Sequence, residues 1–294
     1  MNLESEIRKR RPNISDSSVK TYASTLRGIL KKVFPNETPS LDLFKNVQTI
    51  LLHYDDDAPK SKNNKLASLF VITELEPYRE EMFKNQELIR ADAEKQVKTE
   101  KQKECSLAQT DLKTLWDKLK KEADLLYKKP IPSDDDLQQI QMFIILSLMG
   151  GIFIPPRRAM DYCLFRIKGA TDEFNYLLKN KLVFNKYKTA KTYGRQEIEI
   201  PKELKSILTK WIKHNPTEWL LFDSKRQPLS NTTLNQRFEK LFGKKCSVNS
   251  LRHSYMTDKY GSQIPTRQEM KEDFEKMGSS PSQENTYIQM DSVD

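Results

Sequence analysis

Apolar residues recur at Val19, Tyr22, Leu26, Ile29, Leu30 and Val33. That spacing of three and four predicts one buried helix face. Ser15, Asp16, Ser17 and Ser18 precede it with side chains that cap a helix start, and Pro35 stops it. A second helix is predicted over residues 41–53. After the acidic turn Asp55-Asp56-Asp57, a third begins near Ser61 and runs through Leu66, Leu69, Phe70, Ile72 and Leu75. Residues 1–14 hold the run Arg8-Lys9-Arg10-Arg11-Pro12 and read as a loose basic arm. Residues 1–85 therefore read as a small helical domain. From 76 to 103 the chain is densely charged with few large apolar residues, which predicts an exposed helix or linker; residues 86–104 are taken as the linker.

The pattern changes after it. Trp116, Leu119, Ala123, Leu125 and Leu126 restart a packed helix, Lys128-Lys129-Pro130-Ile131-Pro132 breaks it, and residues 137–149 are nearly all apolar, as in a buried helix. Residues 182–187 and 196–200 read as strands, with Lys191-Thr192-Tyr193-Gly194 as the turn between them. Helices return over 202–213, 231–242, 246–260 and 265–277, the last two opened by Ser247 and Thr266. Residues 105–294 thus form a second domain. The predicted class is mainly α with a small antiparallel β-sheet (α+β).

Composition narrows the partner. The net charge is +9, with 31% charged residues, which points to a polyanion and most simply to nucleic acid. Three scattered cysteines, Cys105, Cys163 and Cys246, fit no metal spacing and read as reduced thiols of an intracellular protein. The most apolar stretch, 140–154, is interrupted by Gly150-Gly151 and is too short to span a membrane. No phosphate-loop or dinucleotide glycine pattern occurs, so no small-molecule cofactor is expected. The acidic run Ser133-Asp134-Asp135-Asp136 precedes a buried helix and reads as its cap, not a metal site. His53 and His214 read as ordinary, and Trp211, Trp219, Tyr255 and Tyr260 as packing residues.

One constellation carries chemistry. Asn249-Ser250-Leu251-Arg252-His253-Ser254 is followed, near the chain's end, by Met277-Gly278-Ser279-Ser280 and a lone Tyr287. An arginine fork is planar, always charged and able to hold two phosphate oxygens at once. Arg252 reads as a phosphate clamp and Tyr287 as a nucleophile. Such a pair would cut and rejoin DNA through a phosphotyrosine.

Four motifs in order extend this. Residues 105–290 resemble the catalytic domain of the tyrosine recombinases, or phage-type integrases. Pro155-Pro156-Arg157-Arg158-Ala159-Met160-Asp161 is similar to the family's first arginine motif, with Arg158 as the arginine and Asp161 as the acid. This form looks most like recombinases of large eukaryotic DNA viruses, virophages and related mobile elements. Tyr187-Lys188-Thr189-Ala190-Lys191 resembles the hairpin that carries the family's lysine, which Lys188 matches. Leu251-Arg252-His253-Ser254 matches the second arginine motif, and Gly278-Ser279 with Tyr287 the last one. Two positions depart from the family: Asn249 and Ser279 stand where histidine, or histidine or tryptophan, is usual.

The resemblance implies an N-terminal core-binding domain that grips DNA, with Lys60, Lys62 and Lys65 at a helix start and Lys191 on the hairpin as contacts. It implies catalysis by Tyr287, Arg158, Arg252 and Lys188, with Asn249 and Ser279 as auxiliary donors. Asp161 and His253 are expected one layer behind. It implies double-stranded DNA as partner, four copies on DNA from a free monomer or dimer, and no metal or ATP. The place of work would be a host nucleus or a viral replication compartment. A type IB topoisomerase and a catalytically impaired DNA-binding protein of the same fold are the alternatives.

Overall fold

The capping serine and the apolar stripe act where the sequence pattern puts them. In the computed structural model, Ser15 takes an extended backbone and its hydroxyl accepts the Ser18 amide at 3.2 Å. The structure describes all residues except 244–245, 262–266 and 290–294; the side chains of Lys101 and Arg267 are likewise not described. The expected cap Thr266 lies outside the described residues. The chain divides into two compact units, Met1–Lys95 and Gln96–Asp294.

The first unit is all helical. Helix α1 spans Leu3–Arg10, α2 Asp16–Val33, α3 Val47–His53 after a short 3-10 turn at Asp42–Lys45, α4 Pro59–Thr73 and α5 Glu76–Glu94. Residues 1–14 are not a loose arm. Leu3 and Ile7, one turn apart on α1, are buried with Leu26, Leu66 and Leu69. Two apolar residues among four basic ones give too weak a stripe to read without the neighbouring helix. Nor is the charged segment a simple linker: on α5 the Tyr78 ring is fully buried and its hydroxyl donates to the Phe44 carbonyl at 2.7 Å. The unit boundary falls at Lys95, just past the end of α5, whereas residue 85 lies in the middle of that helix.

The second unit begins with α6 (Glu100–Glu104), α7 (Gln109–Leu126) and α8 (Asp134–Met149). Ser133 and Asp136 close a reciprocal capping box on α8, so the acidic run does cap this helix. Ile140, Ile144, Ile145 and Leu148 make α8 the apolar axis of the unit. Next come α9 (Met160–Cys163), β1 (Phe165–Arg166), β2 (Asn175–Leu178), β3 (Lys181–Phe184), α10 (Ala190–Tyr193) and β4 (Gln196–Glu199). The strands lie in the order β1-β2-β3-β4; β2, β3 and β4 are antiparallel, and β1 adds in parallel to β2. The two added strands were not legible in the sequence, since β1 has only two residues and β2 no alternation. The chain finishes with α11 (Lys202–His214), α12 (Asn231–Phe242), α13 (Val248–Tyr260), α14 (Arg267–Lys276) and α15 (Glu284–Tyr287).

Because Ile7 is 0% exposed, Ile7→Ala leaves a cavity under α1 and should destabilise the first unit by about 2–5 kcal/mol. Amide hydrogen exchange across α1 and α2 reads this directly. Unchanged protection in the variant would return residues 1–14 to the status of a loose arm.

Candidate active site

Two prolines drive the first arginine motif inward. Pro155 and Pro156 are buried after the end of α8, and each fixes its own φ, so the chain enters the core extended. Arg157, the next residue, is completely buried. Its Nε donates to Asp161 Oδ2 at 2.9 Å, and its Nη1 donates to Gln196 Oε1 at 2.8 Å and to the Lys276 carbonyl at 2.9 Å. Its guanidinium carbon lies over the rings of Phe184 at 4.0 Å and Tyr187 at 4.8 Å. Asp161, expected to serve Arg158, is thus the ion-pair partner of Arg157. The i,i+4 spacing of 157 and 161 was the available signal. A tandem Arg-Arg in sequence does not say which of the two turns inward.

Arg158 is half-buried and its Nη1 donates to the Gly278 carbonyl. Thr189 Oγ1, from the loop carrying Lys188, donates to that same carbonyl at 3.0 Å. Arg252, on the first turns of α13, is 2% exposed. Its Nη2 donates to Ser279 Oγ at 3.2 Å and to the Met277 carbonyl at 3.4 Å, and its Nη1 reaches Asn249 Oδ1 at 3.5 Å. Burial pushes the Arg252 guanidinium down to about 10, still charged at neutral pH. The end of α14 and the Gly278 turn therefore gather three arginines.

Arg158, Arg252 and Asn249 line one cleft of about 210 Å³, together with Asn231, Asn235 and Ser247. Asn231 begins α12 and Ser247 caps α13. Two helix starts and two guanidinium groups around one cleft favour an anion. A larger neighbouring cavity, about 410 Å³, shares Asn235, Ser247 and Asn249 with it but is otherwise lined by residues such as Cys105, Cys246 and His253 and, among the described residues, by no arginine. Ser279 is buried beneath Arg252; its oxygen accepts from the guanidinium, leaving its hydroxyl proton free to donate.

Tyr287 lies on the other side of Arg252. It is 6% exposed, and the Arg252 guanidinium sits 4.7 Å above its ring. His253 and Phe274 pack against the same ring, with centroids at 5.0 and 5.9 Å. His253 Nε2 is 3.2 Å from Asn249 Nδ2. The tyrosine's segment is held on its own chain: Thr257 Oγ1 donates to the Tyr287 carbonyl at 3.2 Å and Gln96 Nε2 to the Ile288 carbonyl at 3.1 Å. Lys188 and Lys191 are exposed on the hairpin loop.

In the first unit, Lys60 is exposed, whereas Lys62 is buried between Asp55 at 3.1 Å and Glu81 at 3.2 Å, and Lys65 pairs with Asp57. Lys62 holds the unit together, and its ammonium is already taken. Of the expected packing residues, Trp211 is fully buried and Trp219 half-buried, and Tyr255 and Tyr260 both donate to Asp273, tying α13 to α14.

No family model matches the chain, and no curated protein matches it. Solved structures do. A XerH site-specific recombinase bound to palindromic difH substrate, in a post-cleavage complex, aligns over 97% of this chain and 79% of that one, with TM-score 0.53 and 17% identity. A lambda integrase (75–356) dimer bound to a COC′ core site aligns over 100% and 99%, with TM-score 0.53 and 16% identity. The chain has the tyrosine-recombinase fold. At such identities the likeness lies in the fold, and the residue roles rest on the geometry above.

Within this tyrosine-recombinase fold the buried Arg157–Asp161 pair has an energetic signature. Burial raises the Asp161 carboxyl against the pull of Arg157. With the folded-state value raised, the folded chain keeps a proton that the unfolded chain loses from about pH 4 upward. Wild type should therefore lose stability relative to Asp161→Asn as pH rises from about 4 to the raised value, and the difference should then level off. Urea unfolding of both proteins across that range measures it. A gain of wild type over the variant with rising pH would show that Arg157 outweighs burial.

Proposed function

We propose that this chain is a site-specific DNA recombinase that cleaves and rejoins duplex DNA through a 3′-phosphotyrosine at Tyr287. The observation that carries this is the shared cleft of Arg158, Arg252 and Asn249, with Tyr287 packed directly beneath the Arg252 guanidinium. Arg158 and Arg252 hold the non-bridging oxygens of the scissile phosphate, whose charge rises in the transition state. Tyr287 Oη attacks phosphorus, and Lys188 protonates the departing 5′ oxygen. Asn249 donates to the phosphate from the cleft wall, and Ser279 sets the orientation of Arg252. The phenol loses its proton in the attack, and His253 is the imidazole in contact with its ring.

The phosphotyrosine conserves the energy of the broken bond, so rejoining needs neither ATP nor metal. The fold shared with DNA-bound recombinases supports double-stranded DNA as the partner, with four copies assembling on two duplexes. Lys60 and Lys191, both exposed, are the lysines of the expected set best placed to meet phosphates. The Pro155-Pro156-Arg157-Arg158 form supports a place among recombinases of large DNA viruses and mobile elements, acting in a host nucleus or viral replication compartment.

The test is a nicked duplex in which cleavage releases a short fragment, with DNA flanking the gene as the source of sites. Wild type should accumulate a covalent protein–DNA adduct, and Tyr287→Phe should give none while binding DNA as before. An adduct that persists in Tyr287→Phe, or none from wild type, would refute the assignment. Relaxation of any supercoiled plasmid by a monomer would instead identify a topoisomerase.

A further inference from the structure

One arginine that the fold encloses completely in this region has no part in the proposed reaction. Arg157 is 0% exposed, yet its neighbours belong to three different segments of the site: Asp161, Gln196 with Phe184 and Tyr187, and the Lys276 carbonyl. Lys188 itself is exposed and makes no hydrogen bond or ion pair among the described residues. Its two chain neighbours are held. Tyr187 stacks on Arg157 at 4.8 Å, and Thr189 donates to the Gly278 carbonyl at 3.0 Å. Two residues earlier, the Lys186 amide donates to Asn175 Oδ1 at 2.8 Å, and Asn175 Nδ2 in turn donates to the Asp161 carbonyl at 2.8 Å.

Gly278 closes the same arrangement. Its φ is +64°, and a Cβ built there would lie 2.8 Å from Arg157 Nη2 and 3.5 Å from the Tyr187 ring. The arginine cannot yield easily, because Asp161, Gln196 and Lys276 fix the rest of its fork. Glycine at 278 is thus required twice, by the left-handed backbone and by the approach of Arg157.

We propose that Arg157 is a positioning residue that fixes Lys188 over the leaving oxygen. This inference rests on the proposed function. In the step it serves, the Tyr287 Oη–P bond forms and the P–O5′ bond breaks. The Lys188 ammonium gives its proton to O5′ and becomes a neutral amine, and the phenol proton passes to solvent through its own base. Only the leaving-group half of this step depends on Arg157. A lysine at 157 keeps the charge but not the planar fork or the stacking on two rings.

The leaving group therefore provides the test. The full chain is given two nicked substrates, one with the ordinary 5′ oxygen and one with sulfur bridging at that position. A thiol, with a pKa of about 8.5, departs as thiolate without a proton donor. Arg157→Lys should slow adduct formation on the oxygen substrate by about 10²-fold, the lower end of what a general acid contributes, with DNA affinity unchanged. On the sulfur substrate it should return to within several-fold of wild type, as should Lys188→Ala. Gln196→Leu, which removes one acceptor of the Arg157 fork and touches neither phosphate arginine, should follow the same pattern more weakly and carries the test if Arg157→Lys does not fold. Equal slowing on both substrates, in either variant, would overturn the inference, as would Lys188→Ala showing no sulfur rescue. Absence of an adduct from wild type on both substrates would instead refute the proposed function.

Discussion

The end of one helix holds this site together. A helix leaves its last carbonyls without internal partners and carries partial negative charge there. At the end of α14 these carbonyls are met by side chains from elsewhere in the unit. Glu275 accepts from Gln196 at 3.2 Å, Lys276 from Arg157 at 2.9 Å, Met277 from Arg252 at 3.4 Å, and Gly278 from Arg158 and from Thr189. Side chains distant in sequence converge because one short stretch of backbone needs donors. The arginines are thereby held on neighbouring protein carbonyls. For the phosphate of the proposed reaction little reorganisation would then remain, which is the condition under which electrostatic catalysis is strongest.

The arrangement is costly in charge burial. Arg157 and Asp161 are both fully enclosed, and Arg252 nearly so. Removing such ions from water costs several kcal/mol each before any pairing is counted. Among the described residues one oxygen of Asp161, the Nη2 of Arg157 and the Nε of Arg252 have no hydrogen-bond partner. Buried charge of this kind adds little to stability. What it fixes is direction: a guanidinium held by three acceptors and two rings has one orientation, and the chain on either side of it follows.

The position of Tyr287 adds a further constraint. Tyr287 is packed as a core residue among Phe274, Met277 and Ile288 and is covered by the Arg252 guanidinium. The same cation thus faces the anion cleft and the tyrosine ring. The ring is large and apolar with a polar tip, so its body can be buried in such a core.

Much of this was legible from sequence, and the exceptions share one cause. Local signals located α2, α4, α7, α8 and α11–α14, since capping serines, apolar stripes and proline breaks act within a few residues. Motif order singled out Arg158, Arg252 and Tyr287, of which the fold sets Arg158 and Arg252 on one cleft and Arg252 over the Tyr287 ring, and it singled out Lys188, which stands exposed on its loop. The docking of α1 and α5 was not legible, because a two-residue apolar stripe or a single buried tyrosine has meaning only against the partner that covers it. The pairing of Lys62, expected as a DNA contact, and the burial of Arg157, to which the sequence assigned no role, were hidden for the same reason. A charged residue in a sequence reads as solvent-facing, and only an acid brought near by the fold can bury it. The sequence alone therefore determined the helices, the order of the motifs and the basic balance of charge, all set by short-range chemistry. Which arginine turns inward, which lysine is taken by an acid, and which carbonyls gather the site were decided by tertiary structure, because each depends on donors and acceptors far apart along the chain.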